Sequence, residues 1–416
     1  MKRVTPPCLA VDTAALCDNY RLLACRARQK DPSVGLWCVV KADAYGHGLR
    51  QVTEALSRAG AGRFAVATLG EAEAVRSVAP TAEVLILGVT PPQEVGRIWR
   101  GNFCQSLHTT AYAAALSAAF CAFARERSSA GESASDISPL RTALKLDCGM
   151  GRLGFPAGEG ETLRPPSAEE MRGLAVGQIY AHFSAADDPA SHETERRLSN
   201  FHTAVRTLRR EARFARAESH ICASAGLIRF GSAECDAARC GLALYGYSPS
   251  AAVSLPSLRP VMTLTAPLIQ VRRVPAGTPV GYGGRWRAPR AVNLGILPLG
   301  YADGLLRGCS GASVLYAGHR VPIVGAVSMD LCAVCLGDLP GEVGDRVTLI
   351  DRAGKLLPKM AEQAGTSVYE LLCRLGENCP SDPDRKQKKY IHTPKASFAS
   401  RTGFSTRHTF DDSVSG

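Results

Sequence analysis

Eight short apolar segments alternate with helix-like segments between residues 36 and 246, and this alternation limits the fold more than any other feature of the chain. In order, the apolar segments are LWCVVK (36–41), FAVAT (64–68), EVLILG (83–88), FCQSLHT (103–109), TALKLDC (142–148), GQIYAHFS (177–184), ESHICAS (218–224) and ARCGLALYG (238–246). The intervening stretches 47–59, 110–127 and 190–214 carry apolar residues at helical spacing. Eight strands alternating with helices predict an α/β fold, a parallel (β/α)8 TIM-like barrel. A doubly wound sheet also fits the alternation, but fits the number of strands less well.

The composition changes after Pro249, where strand-like runs are bounded by glycine and proline and no long helix is expected before 358–375. This pattern of short strands predicts a C-terminal all-β domain, either a sandwich or a small barrel. We therefore divide the chain into a barrel (1–249), a β domain (250–380) and a polar, basic tail (381–416) that we expect to be disordered. The segments predicted to be surface insertions on the barrel are 128–139 and 156–170.

The formal net charge of +11 is spread along the chain, and its densest run, 385–389, lies in the tail. No aromatic residue interleaves that run, so nucleic-acid binding is not predicted, whereas small anions would be attracted. No apolar run is long enough for a membrane helix, and Pro6, Pro7 and Asp12 interrupt any signal peptide. The fifteen cysteines are scattered along the chain, several of them inside apolar runs, which predicts a reducing, cytoplasmic location and no metal site.

The residues at the ends of the predicted strands suggest one reaction centre. In a (β/α)8 barrel the carboxyl ends of the strands form the active site, and Lys41, Lys145, His182 and Ser224 lie there, with Arg239 beside the last strand. Each has an ordinary explanation alone: a solvated lysine, a core histidine, a simple turn. Together they fit pyridoxal phosphate (PLP), which needs a partly desolvated lysine and a cradle for its phosphate.

Nine motifs, in order, resemble those of the alanine racemase family of fold-type III PLP enzymes, over about residues 1–380. They are VVKADAYGHG, ALKLDCGMGRLGF, AHFSAAD, HICASAG, ARCGLALYG, VGYGGRW, LPLGYADG, VGAVSMD and VYELLCRL. The resemblance implies interconversion of L-alanine and D-alanine, which would supply D-alanine for peptidoglycan, by a cytoplasmic homodimer with composite active sites. Alternatives on the same scaffold are a broad-specificity or serine racemase, an amino-acid decarboxylase, and a non-catalytic PLP-binding protein.

The resemblance also implies roles for individual residues. Lys41 matches the Schiff-base lysine and one catalytic base, and Tyr282 matches the second base, which the other subunit supplies. Met329, Asp330 and Tyr301 match residues around the substrate entrance, and Arg152 matches an arginine that contacts substrate and cofactor. Lys145 aligns with a lysine that carries a carbamate in many members, and Asp147 has no assigned role. The residues matching the rest of the cofactor site are Tyr45, His182, Ser224, Arg239, Gly241, Leu242 and Tyr369.

Three positions depart from the family pattern. Ala223 replaces the usual asparagine before the phosphate-site serine, and Cys240 replaces the proline that usually follows the arginine. We expect these two changes to alter packing and affinity rather than the reaction. The arginine-rich motif that usually ends the family's sequences is replaced by residues 376–390, so the sequence does not define where the β domain ends.

Overall fold

The structure, a computed structural model, describes residues 5–378. A short strand, β1 (Cys8–Val11), precedes the barrel. The barrel strands, with a two-residue strand β7 beside β6, are β2 (Gly35–Val39), β3 (Arg63–Val66), β4 (Glu83–Ile86), β5 (Cys104–Leu107), β6 (Leu140–Asp147), β7 (Phe155–Pro156), β8 (Leu174–Tyr180), β9 (Glu218–His220) and β10 (Ala237–Cys240).

The barrel strands are parallel and follow the order β10-β2-β3-β4-β5-β6-β8-β9. Two backbone hydrogen bonds join the ends of this path, from Asp236 N–H to the Ser219 carbonyl (2.9 Å) and from Arg239 N–H to the Cys222 carbonyl (2.8 Å). The eight-stranded (β/α)8 barrel predicted from the sequence is thereby confirmed.

Three helices correspond to the predicted segments 47–59, 110–127 and 190–214, although the last ends earlier than predicted: Leu49–Arg58, Thr110–Ser129 and Glu193–Leu208. The other helices of the first half are Thr13–Ala27, Leu69–Val78, Val95–Arg100 and Ser224–Phe230. The predicted strand ends were wrong in four places that matter for the site. Strand β2 stops at Val39, before Lys41, and β10 stops at Cys240, before a 3-10 helix at Leu242–Tyr245. Strand β8 stops at Tyr180, before His182, and β9 stops at His220, before Ser224. That 3-10 helix is apolar because it is buried, not because it is a strand.

The second domain is built on an antiparallel sheet, which confirms the prediction of a C-terminal β domain. Its order is β1-β11-β19-β16-β17-β18-β15-β12, so the chain's first strand completes this sheet by pairing with β11. A separate pair, β13 and β14, lies outside it. The strands are β11 (Met262–Pro267), β12 (Gln270–Val274), β13 (Pro279–Val280), β14 (Trp286–Arg287), β15 (Val292–Leu297), β16 (Ser313–Tyr316), β17 (His319–Val324), β18 (Cys332–Gly337) and β19 (Arg346–Ile350).

The helix predicted over 358–375 is two helices, Leu356–Gln363 and Val368–Asn378, because Gly365 takes a left-handed φ of 65° between them. The second helix lies against the barrel mouth. A Cβ atom on Gly376 would come 2.2 Å from the carbonyl oxygen of Gly46, so only glycine permits this approach. The β domain therefore covers the end of the barrel where Lys41 lies.

Three further observations concern residues 5–378 only. Their helices include none that is both long and apolar enough for a membrane span. Thirteen of their cysteines, from Cys17 to Cys373, form no disulfide, and their His, Cys, Asp and Glu side chains form no group suited to a metal ion. The tail predicted over 381–416 lies outside the described residues.

Candidate active site

A cavity of about 610 Å³ occupies the carboxyl ends of the barrel strands, beneath the helix Val368–Asn378. Ten of the residues predicted to form the site line it: Lys41, Tyr45, Lys145, Arg152, His182, Ser224, Arg239, Gly241, Leu242 and Tyr369. Of the five predicted residues of the β domain, Tyr369 alone lines it, and Tyr282, Tyr301, Met329 and Asp330 are absent from its lining. One chain therefore brings together most of the predicted site, but not its second base.

Lys41 opens a turn of unusual backbone geometry. The four residues after it, 42–45, all have left-handed φ angles between 50° and 55°, although none is glycine. Each such residue costs roughly 1–2 kcal/mol relative to right-handed backbone, and strain of this kind is concentrated at functional sites. Burial lowers the pKa of Lys41, and the positive charge of Arg152 lowers it further. The amine is therefore easier to deprotonate than an ordinary lysine.

Ser224, Gly241 and Tyr45 form a polar cradle in the same cavity. The hydroxyl oxygen of Ser224 accepts hydrogen bonds from the backbone N–H groups of Gly241 (3.3 Å) and Ala243 (3.2 Å), and the hydroxyl also hydrogen-bonds to the side chain of Cys240. A Cβ atom on Gly241 would lie 2.3 Å from the Tyr45 hydroxyl oxygen, so that phenol rests directly on the backbone. The ring of Tyr369 lies 6.1 Å from that of Tyr45.

Arg239 is buried and held by four acceptors. It donates to the carbonyls of His220 (3.0 Å) and Ala181 (2.6 Å), to Nδ1 of His220, and at 3.4 Å to Nδ1 of His182. Burial, and then the charge of Arg239, hold the pKa of both histidines well below the usual value, so both imidazoles are neutral. Nδ1 of His220 accepts from the arginine, and its Nε2 lies 3.1 Å from Oε1 of Gln178, which fixes the tautomer.

His220 is a site residue that the sequence did not predict. It lies within the motif HICASAG, four residues before Ser224, and its contact with Arg239 is closer than that of His182. A histidine on a buried strand is ordinarily a core residue. This one lies beside the guanidinium only because β9 and β10 become neighbours where the barrel closes. The available signal was its place inside a motif already selected for the phosphate site.

Lys145 is buried on β6 beside Arg152. Its amine donates to the Leu146 carbonyl (2.8 Å) and lies 5.4 Å above the Tyr180 ring. Burial, and then repulsion from Arg239, lower the pKa of Lys145 to about 7, so a large fraction of the amine is uncharged near neutral pH.

Asp147, to which the sequence assigned no role, shapes the loop that carries Arg152. Its carboxylate accepts from the backbone N–H groups of Gly149 (2.9 Å), Met150 (2.7 Å) and Arg152 (3.0 Å). Burial alone would raise the pKa of Asp147, but these three donors hold it below its usual value. Asp147 therefore stays ionised and keeps the loop folded against the cavity.

The predicted residues of the β domain gather on one exposed face. The Tyr301 N–H donates to the Ser328 carbonyl (3.0 Å), and the Ala302 N–H donates to the Met329 carbonyl (2.9 Å), which joins the two entrance loops. The turn carrying Tyr282 packs on the same region, because Gly281 lies against Ala326. Tyr282 is 73% exposed, Met329 54% and Tyr301 43%. Large exposed side chains clustered in this way are typical of an interface.

Comparison with known proteins identifies the family. The family model for the alanine racemase N-terminal domain matches residues 11–249, and that for the alanine racemase C-terminal domain matches residues 261–382. The chain belongs to the alanine racemase family.

Individual members are similar over nearly their whole length. The alanine racemase of Stutzerimonas stutzeri is 37% identical over 382 residues, which cover 90% of this chain and 98% of that protein. The biosynthetic alanine racemase of Pseudomonas aeruginosa superposes with a TM-score of 0.75 at 34% identity, covering 92% of this chain and 99% of that one. The alanine racemase from Streptomyces lavendulae has a TM-score of 0.79 at 28% identity, with coverages of 91% and 97%.

Proposed function

We propose that this protein is a PLP-dependent racemase that interconverts L-alanine and D-alanine and so supplies D-alanine for peptidoglycan. The observation that carries the proposal is the shared cavity of Lys41, Arg239 and the Ser224 cradle, in a chain of the alanine racemase family.

The residues present fit PLP. Lys41 offers an amine with a lowered pKa for covalent attachment to an aldehyde. The cradle offers the hydroxyls of Ser224 and Tyr45 where a phosphate would bind, beside Gly241, where any side chain would collide with the Tyr45 phenol. When bound, PLP delocalises the electron pair left on Cα after a proton is removed, which is the chemistry that racemisation needs.

Arg239 determines how strongly a pyridine ring in this cavity can be polarised. A guanidinium keeps its proton at working pH and only donates. A ring nitrogen facing Arg239 would therefore accept a hydrogen bond without being protonated. The neutral His220 and His182 add no proton donor of comparable acidity, since both have a strongly lowered pKa. This arrangement favours rapid return of the proton over side reactions.

Racemisation needs a base on each side of the substrate plane. We assign Lys41 to one side and the phenol of Tyr282 to the other. The described residues that line the cavity include only three phenols, those of Tyr45, Tyr180 and Tyr369, and we assign Tyr45 and Tyr369 to the cofactor. Tyr180 is engaged with Ser106, at 2.7 Å between the hydroxyls.

A homodimer with composite sites would supply the second base. Tyr282 is exposed and apart from its own chain's cavity, and Tyr301, Met329 and Asp330 share its face of the β domain. Placed over a partner's barrel mouth, this face would deliver the phenol and narrow the substrate entrance together. A narrow entrance would favour the methyl side chain of alanine, and the backbone N–H of Met329 would meet the substrate carboxylate. We also propose a cytoplasmic location, which suits free, largely buried cysteines.

We propose that Lys145 carries a carbamate that positions Arg152. Only the neutral amine reacts with CO2, and a pKa of about 7 makes that form available at and above neutral pH. With ¹³C-bicarbonate at about pH 8, the wild-type protein should show a carbamate carbon signal that is absent from Lys145→Arg and disappears on acidification. A signal that survives in Lys145→Arg would contradict the assignment.

The experiment that tests the proposed function is racemisation in deuterated water. Incubation with L-alanine should give both enantiomers with deuterium at Cα. The same assay with serine and lysine measures the width of the pocket and separates an alanine racemase from a broad-specificity enzyme. Release of CO2 without change of enantiomer would identify a decarboxylase and overturn the proposal, as would the absence of any reaction.

A further inference from the structure

We propose that Glu71 is a positioning residue that anchors the backbone immediately after Lys41 and thereby holds the lysine at the barrel mouth. The inference rests on the proposed function for the role of Lys41. The contacts of Glu71 and the chemical reactivity of Lys41 can be measured without it.

Both carboxylate oxygens of Glu71 are occupied by backbone donors from two different connections. Oε1 accepts from the N–H of Ala42 at 2.7 Å. Oε2 accepts from the N–H groups of Ala67 (2.8 Å) and Thr68 (3.0 Å), which follow strand β3. The carboxylate therefore ties the turn after β2 to the turn after β3 at the same end of the barrel. A neutral amide could not replace it fully, since its nitrogen does not accept hydrogen bonds.

The anchored residue is the first of the left-handed run. Ala42 has φ 53° and directly follows Lys41. Because the peptide bond between them is planar, holding the Ala42 N–H fixes the orientation of the backbone that leaves Lys41. The far end of the run is held separately by the close approach of Gly46 to Gly376 in the helix Val368–Asn378. Strained backbone persists only where its surroundings fix it. Glu71 supplies that restraint on the Lys41 side of the run.

Glu71 also contributes charge. The groups facing Lys41 come from several elements: Arg152 on the loop after β6, Arg239 on β10, Cys373 on the last helix and the neutral His182 after β8. Burial, Arg152 and Arg239 lower the pKa of Lys41, whereas Glu71 and Cys373 raise it, with Glu71 the larger of the two. Removing the Glu71 charge should therefore lower the pKa of Lys41 further.

The test compares Glu71→Gln with Glu73→Gln. Glu73 lies on the same helix, is half-buried and pairs with Arg97 at 2.6 Å, so Glu73→Gln makes the same change of charge without touching the turn. In cofactor-free protein, the acetylation of Lys41 by acetic anhydride is followed against pH by peptide mass mapping. We expect the midpoint to fall by about 0.5–1 pH unit in Glu71→Gln and to remain unchanged in Glu73→Gln. In the holoenzyme, kcat should fall about 10- to 100-fold in Glu71→Gln, with a much smaller change in KM.

A second variant separates charge from position. Glu71→Asp keeps the charge but shortens the reach to Ala42, so the acetylation midpoint should stay near that of wild type while kcat still falls. An unchanged Lys41 midpoint in Glu71→Gln would overturn the electrostatic part of the inference, and wild-type kcat in Glu71→Asp would overturn the positioning part. If the wild-type protein has no racemase activity, the proposed function is contradicted. The acetylation profile of Lys41 would still test the contact with Glu71, because it does not depend on activity.

Discussion

Replacing Tyr282 by phenylalanine is expected to lower kcat for racemisation by about 10²- to 10⁴-fold in both directions. The substitution removes one hydroxyl from an exposed turn in which Gly281, Gly283 and Gly284 surround the tyrosine, so folding should not be disturbed. Conversion of L-alanine to D-alanine and the reverse reaction are both slowed, because each turnover uses one base to remove a proton and the other to return one. The measurement is the rate of conversion of each enantiomer by polarimetry or a coupled assay.

The isotope pattern makes this prediction specific. Lys41 still serves one side of the substrate, so Tyr282→Phe should still exchange the α-hydrogen of one enantiomer with deuterated water, without inverting it. A matched control is Tyr20→Phe, which removes a hydroxyl that donates to the Gly60 carbonyl far from the cavity. Equal loss of exchange from both enantiomers, or wild-type racemisation, would contradict the assignment of Tyr282.

Replacing Lys41 by arginine is expected to lower kcat for racemisation at least about 10⁴-fold and to abolish the covalent attachment of PLP. Arginine keeps the positive charge, so the attraction for an anionic cofactor should remain, but a guanidinium neither attaches to an aldehyde nor gives up its proton. Borohydride reduction followed by peptide mapping should label Lys41 in the wild type and leave the variant unlabelled. The exposed Lys30→Arg is the control. A label on another lysine would remove the basis of the proposed function.

The sequence was sufficient for the architecture because strands of a parallel barrel are buried on both sides and therefore appear as short apolar runs. It was insufficient for strand ends. Leu242–Tyr245 is as apolar as a strand, yet forms a buried 3-10 helix that packs against the helix Thr13–Ala27. The left-handed turn after Lys41 could not be predicted either, since Ala42 and Ala44 have no preference for positive φ. Tertiary contacts with Glu71 and the last helix determine that turn.

The site was predictable where a residue lies at the end of an apolar segment, and hidden where its role arises from contact across the chain. Lys41 and Ser224 were found because each ends an apolar segment of the sequence, and Arg239 because it lies in the last of these segments. His220 and Glu71 were missed because an ordinary core histidine and a helix-capping glutamate look the same in sequence. Geometry within one chain also leaves Tyr282 outside the cavity, which is why a partner subunit is central to the proposed mechanism.

Mixing the two inactive variants, Lys41→Arg and Tyr282→Phe, tests the composite site most directly. After subunit exchange at equal concentrations, each mixed dimer would contain one doubly altered site and one site with both Lys41 and Tyr282 intact. The account predicts recovery of about a quarter of wild-type activity, because about half of the dimers are mixed and each has one intact site. A mixture confirmed to contain mixed dimers but with no recovered activity would place both bases in one chain and contradict the account.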